Sequence, residues 1–254
     1  NYINYMSKLI LFDVDGTLTE SGKIIHNSML NKLITLNNKG YDLGIVGGGK
    51  LEKILNQIKK SNCFTHIFTE CGCVYNKNIG SDILELQTIY TKNIRNHKLY
   101  PQINILIKRA LLFISQVDYT ITGNFIDLRE GIIYISLIGM AANDFERKVF
   151  IEKNKLHRYR TNLINILKDK AEELNILNKL TISEGGEVGI GLYPIEYDKI
   201  QVLKHLSEYS EIHYFGDKYE KNGNDHNIIN AENVIGHPVN SPDDTIKILD
   251  CLSK

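Results

Sequence analysis

Short apolar runs alternate with helix-period patterns along the first part of the chain, and few architectures accommodate that alternation. Leu9–Phe12 and Leu43–Val46 are apolar runs, and between them Met29, Leu30, Leu33 and Ile34 recur at helical spacing. Runs of this kind joined by a helix describe a β-α-β unit of a parallel sheet. Asn27 and Ser28 are suited to cap the helix start, and Gly40 to close its end. A second helical pattern at Leu51, Ile54, Leu55 and Ile58 leads to a short strand near His66–Phe68.

The character changes after about Asp82. Helical patterns at Ile103–Ile114 and Leu163–Leu174 flank the stretch NFIDLREGIIYISLIG, which reads as two strands turning at Glu130-Gly131. From Glu196 the first pattern returns, with a helix at Lys199–His205, strands at Ile212–Phe215 and Val234–Ile235, and a last helix opened by Ser241-Pro242-Asp243-Asp244. The chain therefore reads as an α/β core split by an inserted α+β domain. Residues 1–84 and 192–254 form the core and residues 85–191 the insertion.

Composition narrows the function classes. Thirty basic and thirty acidic residues cancel, and no apolar stretch approaches the roughly 20 residues needed to span a bilayer. Neither a nucleic-acid nor a membrane partner is expected, and the protein should be cytoplasmic. The opening NYINY precedes Met6 and is set aside from fold reasoning. Four cysteines are too few for a disulfide scaffold, and Cys71-Gly-Cys73 lacks zinc-site spacing, so the thiols read as reduced and mostly buried.

At the end of the first apolar run stands LFDVDGTLT. Residues i and i+2 of a strand face the same way, so Asp13 and Asp15 can meet one substrate at the carboxyl end of a sheet. One carboxylate can attack phosphorus and form an aspartyl phosphate, and the other can trade protons with the oxygen that leaves or attacks. Carboxylates repel a phosphate dianion unless a divalent cation intervenes, and hard oxygen donors favour Mg²⁺. Gly16 permits a sharp turn and Thr17 offers a hydroxyl to the phosphate. A lone D-x-D also occurs in surface loops. Here it follows a strand and is joined by Lys199 at a helix start and by YFGDKYEKNGNDH, which places Asp217 after a strand and Asp225 further on.

DVDGTLT, GIVGGGK, FGDK, GNDH and GHPVNSPDDT together make the chain resemble the haloacid dehalogenase superfamily and, within it, the eukaryotic-type phosphomannomutases. The resemblance runs over most of residues 8–253 and implies a Rossmann-like parallel-sheet core with an α+β cap. It implies Asp13 as nucleophile, Asp15 as general acid/base and Lys199 as the phosphate-holding lysine. It implies Mg²⁺ on Asp13, the backbone carbonyl of Asp15 and Asp217, with Asn224-Asp225 in support. Asp225 could instead cap a helix, and Lys199 could be a solvated helix-start lysine beside Asp198. Gly48 and Gly49 would cradle phosphate with their amides, although relatives usually carry serine where Gly49 stands. Arg129 and Arg147 fall where the family binds the phosphate that is not being transferred. Each could instead be a surface arginine in an ion pair.

Four positions depart from the family pattern. Met140 and Gly22 stand where further arginines are usual. Gly189 and Gly191 replace a serine and an aspartate that in relatives touch phosphate and sugar hydroxyls. Three functions therefore stay open. One is a mutase interconverting mannose 6-phosphate and mannose 1-phosphate, dimeric through its cap. A Mg²⁺-dependent sugar-phosphate phosphatase is another, and a non-catalytic phosphate-binding relative is the third.

Overall fold

A computed structural model describes residues 7–221 and 223–252; the opening NYINY lies outside them. The chain forms two compact units, residues 1–92 with 197–254 and residues 93–196.

The larger unit is built on a seven-stranded sheet. In chain order its strands are β1 (Lys8–Phe12), β2 (Tyr41–Val46), β3 (His66–Thr69), β4 (Val74–Asn78), β5 (Leu86–Thr91), β10 (Glu211–Gly216) and β11 (Ile235–Pro238). Their spatial order is β11-β10-β1-β2-β3-β4-β5. The first five of that order run parallel, while β4 and β5 add an antiparallel edge. Helix α1 (Asn27–Asn38) turns Met29, Leu33 and Leu36 into the core, and α2 (Leu51–Gln57) buries Ile54. Helices α6 (His226–Ile229) and α7 (Pro242–Leu252) complete the unit. One apolar cluster on the sheet gathers Ile10, Phe12, Leu43, Ile45 and Phe215 with α1, and a second gathers Leu9, Leu11, Val46 and Tyr214 with Val202 and Leu206.

This topology fixes where a ligand can bind. Strand β1 is central, with β2 and β3 wound to one side and β10 and β11 to the other. The two winding directions part at its carboxyl end, which opens a crevice between diverging loops.

The smaller unit carries a four-stranded antiparallel sheet in the order β6-β7-β9-β8, namely Ile126–Leu128, Ile133–Ser136, Gly189–Pro194 and Leu180–Gly185. Three α-helices belong to it: α3 (Tyr100–Ile114), α4 (Asp144–His157) and α5 (Tyr159–Glu173).

Several expectations shift. Residues 85–92 stay with the larger unit because β5 pairs with β4, and residues 192–196 belong with the smaller one because Leu192–Pro194 complete β9. The expected limits at 84 and 192 therefore move to 92 and 197. The expected two-strand hairpin is half of a four-stranded sheet. Helix α1 is capped by His26, whose ring accepts from the Ser28 amide, in place of Asn27 or Ser28. Lys199–His205 is a 3-10 helix. Cys63, Cys71 and Cys73 are buried free thiols and Cys251 is exposed. Among the described residues no helix is long and apolar enough to cross a membrane.

Candidate active site

Asp13 is the first residue beyond β1. Its amide donates to the Phe215 carbonyl at 2.9 Å, continuing the β1–β10 ladder and setting the direction of the carboxylate. Asp217 leaves β10 one residue past its end. The two loops can meet because Gly16 has φ +87° and a Cβ there would lie 2.4 Å from Asp217 Oδ2.

Lys199, the first residue of the 3-10 helix, is fully buried. Its ammonium donates to Asp13 Oδ1 at 2.6 Å and Asp225 Oδ1 at 2.7 Å. The idea of a solvated helix-start lysine is thereby excluded; Asp198 serves as the cap, accepting from the Ile200 amide. Burying an ammonium costs several kcal/mol unless it is paired and hydrogen-bonded, and here two carboxylates meet both conditions. Burial opposes the charge on Lys199, but Asp13 and Asp225 outweigh it and lift its pKa well above the ordinary lysine value.

Asp225 stands at the start of α6 yet makes no side-chain capping bond. Instead its carboxylate accepts from Lys199, from the Tyr214 hydroxyl and, through Oδ2, from the Lys218 amide at 2.9 Å. One oxygen each from Asp13, Asp217 and Asp225 lies within 4.8 Å of the others. Burial pushes the Asp13 pKa up to about 7; Lys199 pulls against this, and Asp225 and Asp217 reinforce it. Burial likewise raises Asp217, which keeps Oδ1 buried and without a hydrogen-bond partner among the described residues. Asn224 Oδ1 and Thr17 Oγ1 share that condition. Buried oxygens left unpaired are uncommon and cost free energy unless a ligand completes them.

Asp15 is placed differently. Its carboxylate accepts from the Gly22 amide, Lys53 Nζ and Gln57 Nε2, each at 2.7 Å. Burial alone would raise its pKa, but these three donors outweigh that and hold it below the usual carboxylate range. Gly47, Gly48 and Gly49 join β2 to α2 at the same end of the sheet. A Cβ at Gly49 would meet only the flexible side chains of Lys53 and Ile54, at 3.4 Å or more.

The larger unit thus brings together Asp13, Lys199, Asp217 and Asp225, with Asp15, Thr17, Gly48 and Gly49 on its loops. Arg129 and Arg147 lie in the smaller unit. Arg129 follows β6 and pairs with Asp127 at 2.7 Å, as the ion-pair alternative anticipated. Arg147 sits in the first turn of α4 and makes no salt bridge among the described residues. Neighbouring Glu146 is instead committed to a capping box with Asn143. Met140 is exposed, and Gly22 contributes its amide to Asp15.

The family model for eukaryotic phosphomannomutase matches residues 29–254. The chain belongs to the eukaryotic phosphomannomutase family. It is 36% identical over 242 residues to a phosphomannomutase of Glycine max, covering 94% of this chain and 93% of that protein. With a phosphomannomutase of Oryza sativa subsp. japonica the identity is 37% over 240 residues, covering 93% and 92%. Solved structures extend the likeness of fold beyond the family. An IMP-bound, N-terminally truncated Plasmodium falciparum IMP-nucleotidase matches with TM-score 0.65 at 15% identity over 96% of this chain and 67% of its own. The C-terminal domain of C. albicans trehalose-6-phosphate phosphatase matches with TM-score 0.59 at 15% identity, covering 98% and 93%.

Sequence reasoning missed Lys53, Gln57 and Tyr214. Lys53 and Gln57 are four apart on α2 and so share a face, a spacing that could have flagged them as one group. Tyr214 lies in an apolar strand, and nothing local marks its hydroxyl as a partner for Asp225.

Proposed function

We propose that the chain interconverts mannose 6-phosphate and mannose 1-phosphate through a phosphoaspartate on Asp13. The observation that carries this reading is the Asp13 carboxylate at the carboxyl end of the central strand. Lys199 engages its Oδ1, while its Oδ2 has no hydrogen-bond partner among the described residues. Family membership supports the choice of a mutase over a hydrolase.

In this reading a hexose bisphosphate first phosphorylates Asp13. The free hydroxyl of a bound hexose monophosphate then gives its proton to Asp15 and attacks the phosphoaspartate, which releases the Asp13 carboxylate and forms a hexose bisphosphate. After the bisphosphate turns over, Asp13 Oδ2 attacks its other phosphorus, the bond from that phosphorus to the sugar oxygen breaks, and the oxygen takes the proton back from Asp15. Lys199 holds Asp13 in place and offsets charge on the phosphoryl oxygens. Asp15 is held ionised by Lys53, Gln57 and Gly22, which suits it to accept a proton. To donate one it must exchange those partners for a sugar oxygen, and its partial exposure leaves room to rotate.

The donor set fits Mg²⁺. The site offers hard oxygens, and two of them, Asp217 Oδ1 and Asn224 Oδ1, are buried and unpaired. Asp13 and Asp217 would hold the ion, with the Asp15 carbonyl. Both oxygens of Asp225 already have donors, so it acts chiefly as the partner that anchors Lys199. Bound Mg²⁺ would offset the repulsion between these carboxylates and the phosphate. Thr17, Gly48 and Gly49 would contact the transferred phosphate, and Arg129 and Arg147 the other one.

Dimerisation through the smaller unit belongs to the same reading. It is supported by α4, which leaves Phe145, Val149 and Leu156 exposed and buries only Phe150. A cytoplasmic setting is consistent with four unpaired cysteines.

A steady-state assay tests the reaction. With Mg²⁺ and a hexose bisphosphate activator, mannose 1-phosphate should become mannose 6-phosphate much faster than inorganic phosphate appears, and Asp13→Asn should abolish both. Predominant phosphate release would replace the mutase reading with a phosphatase.

A further inference from the structure

On the sheet of the smaller unit one aromatic ring occupies the space that another side chain would need. Tyr134, in the middle of β7, faces Gly191 in the register with β9, and its ring reaches over Gly189. A Cβ at Gly189 would fall 2.4 Å from Tyr134 Cζ and 2.5 Å from its hydroxyl oxygen. Another at Gly185 would fall 3.2 Å from Cε2. A Cβ at Gly189 would also fall 2.7 Å from the Ile135 carbonyl oxygen, so the ring and the backbone of its own strand together leave room there for glycine alone.

Three guanidinia act on that ring; those of Arg129 and Arg160 are paired with Asp127 and Glu184, and that of Arg147 has no salt bridge among the described residues. The guanidinium of Arg129 stands over it, 5.1 Å from the centroid. Arg147, Arg129 and Arg160 all act electrostatically on the phenol, each favouring its ionised form against the effect of burial. Arg160 donates to the Gly186 carbonyl at 2.8 Å and to Glu184 at 2.6 Å, which ties the β8–β9 turn to α5. Its Nε is buried and unpaired. The Tyr134 hydroxyl has no hydrogen-bond partner among the described residues. A phenol left undonated among three guanidinia, only partly exposed, has the chemistry to donate to an anionic oxygen that the guanidinia attract.

We infer that Tyr134 is a specificity-determining residue of this chain, its hydroxyl donating to the non-transferred phosphate of the hexose phosphate while Arg147 supplies the charge. The inference rests on the mutase reading for the identity of that ester. Glycine at 189 is then the accommodation that lets the tyrosine lie across the sheet. Arg160 acts as a positioning residue, holding the turn against which the ring packs.

The test uses the full-length protein with Tyr134→Phe, which keeps the ring on Gly189 and removes only the hydroxyl. KM for mannose 1-phosphate should rise roughly tenfold with kcat nearly unchanged, as when a hydrogen bond to a charged group made throughout the reaction is lost. The thermal midpoint should stay within about 1 °C of the parent. Calorimetric titration with mannose 6-phosphate should show the same roughly tenfold loss of affinity. Equal KM and equal affinity in the two proteins would overturn the inference and leave the mutase reading standing. A parent that binds mannose 6-phosphate but turns nothing over would defeat the mutase reading, and the titration of Tyr134→Phe would still decide the inference. A parent with no affinity for the sugar phosphate overturns both.

Discussion

The two opening carboxylates have opposite surroundings, and the separate roles proposed for them rest on that difference. Asp13 is buried beside two acids and one lysine, and its pKa is pushed up to about 7; Asp15 is held low by Lys53, Gln57 and the Gly22 amide. If that grip sets the proton affinity of Asp15, Gln57→Leu should raise it. The acidic limb of the kcat/KM profile would then move to higher pH by up to about one unit, with kcat/KM at neutral pH changing little. An unmoved limb would show that Gln57 does not tune Asp15. Position 49 allows a gain. There is room for a Cβ beside Lys53 and Ile54. Gly49→Ser should therefore fold normally and lower KM several-fold, the effect of one added neutral hydrogen bond to phosphate. A raised KM in the same assay would contradict a phosphate-facing loop.

At the scale of elements, the parts readable in advance are those whose burial imposes a period. β1, β2 and β3 are buried apolar runs, and α1 repeats its apolar residues on one face. The antiparallel pair at one side of the sheet lacks that signal: β4 is VYNKN and β5 is LQTIYT, half solvated and written largely in polar residues. β9, GIGLYP, carries no strand pattern to read, and its Gly189 answers to the Tyr134 ring and the Ile135 carbonyl of a neighbouring strand, a tertiary fact. The candidate site residues Asp13, Lys199 and Asp217 are legible because motif and spacing carry them. The partners of Asp15 are not, since they arrive from a helix about forty residues away. Helix α4 carries its own prediction. Its Phe145, Val149 and Leu156 are exposed on one helix. Leu156→Glu should convert a dimer to a monomer in sedimentation at micromolar concentration, and a monomeric parent would refute dimerisation through this face.

Across the whole molecule, acid stability follows chiefly from two histidines. Burial pushes His66 and His237 down to about 4, whereas an unfolded histidine titrates near 6.5. Between those values the unfolded chain binds more protons, so stability is complete above about pH 6.5 and is lost as the pH falls toward 4. Asp13 works the other way: its raised pKa makes the metal-free folded state the better proton binder between about 4 and 7. Asp217, raised as well, adds to Asp13, and His205, lowered by burial, adds to the other two histidines. The three histidines outweigh the two carboxyls, so the thermal midpoint of metal-free protein should fall between pH 6.5 and 4.5. His237→Asn should make that fall shallower; a midpoint that holds or rises would contradict the assignment.

Chemistry at Asp13 is most directly tested by trapping. Protein mixed with Mg²⁺ and a hexose bisphosphate, quenched in acid within milliseconds and digested for mass spectrometry, should carry a phosphoryl group on the peptide containing Asp13, labile to hydroxylamine. Omission of Mg²⁺ or the change Asp13→Asn should remove it. A phosphoryl group found on another residue, or none in a sample that turns substrate over, would contradict the account.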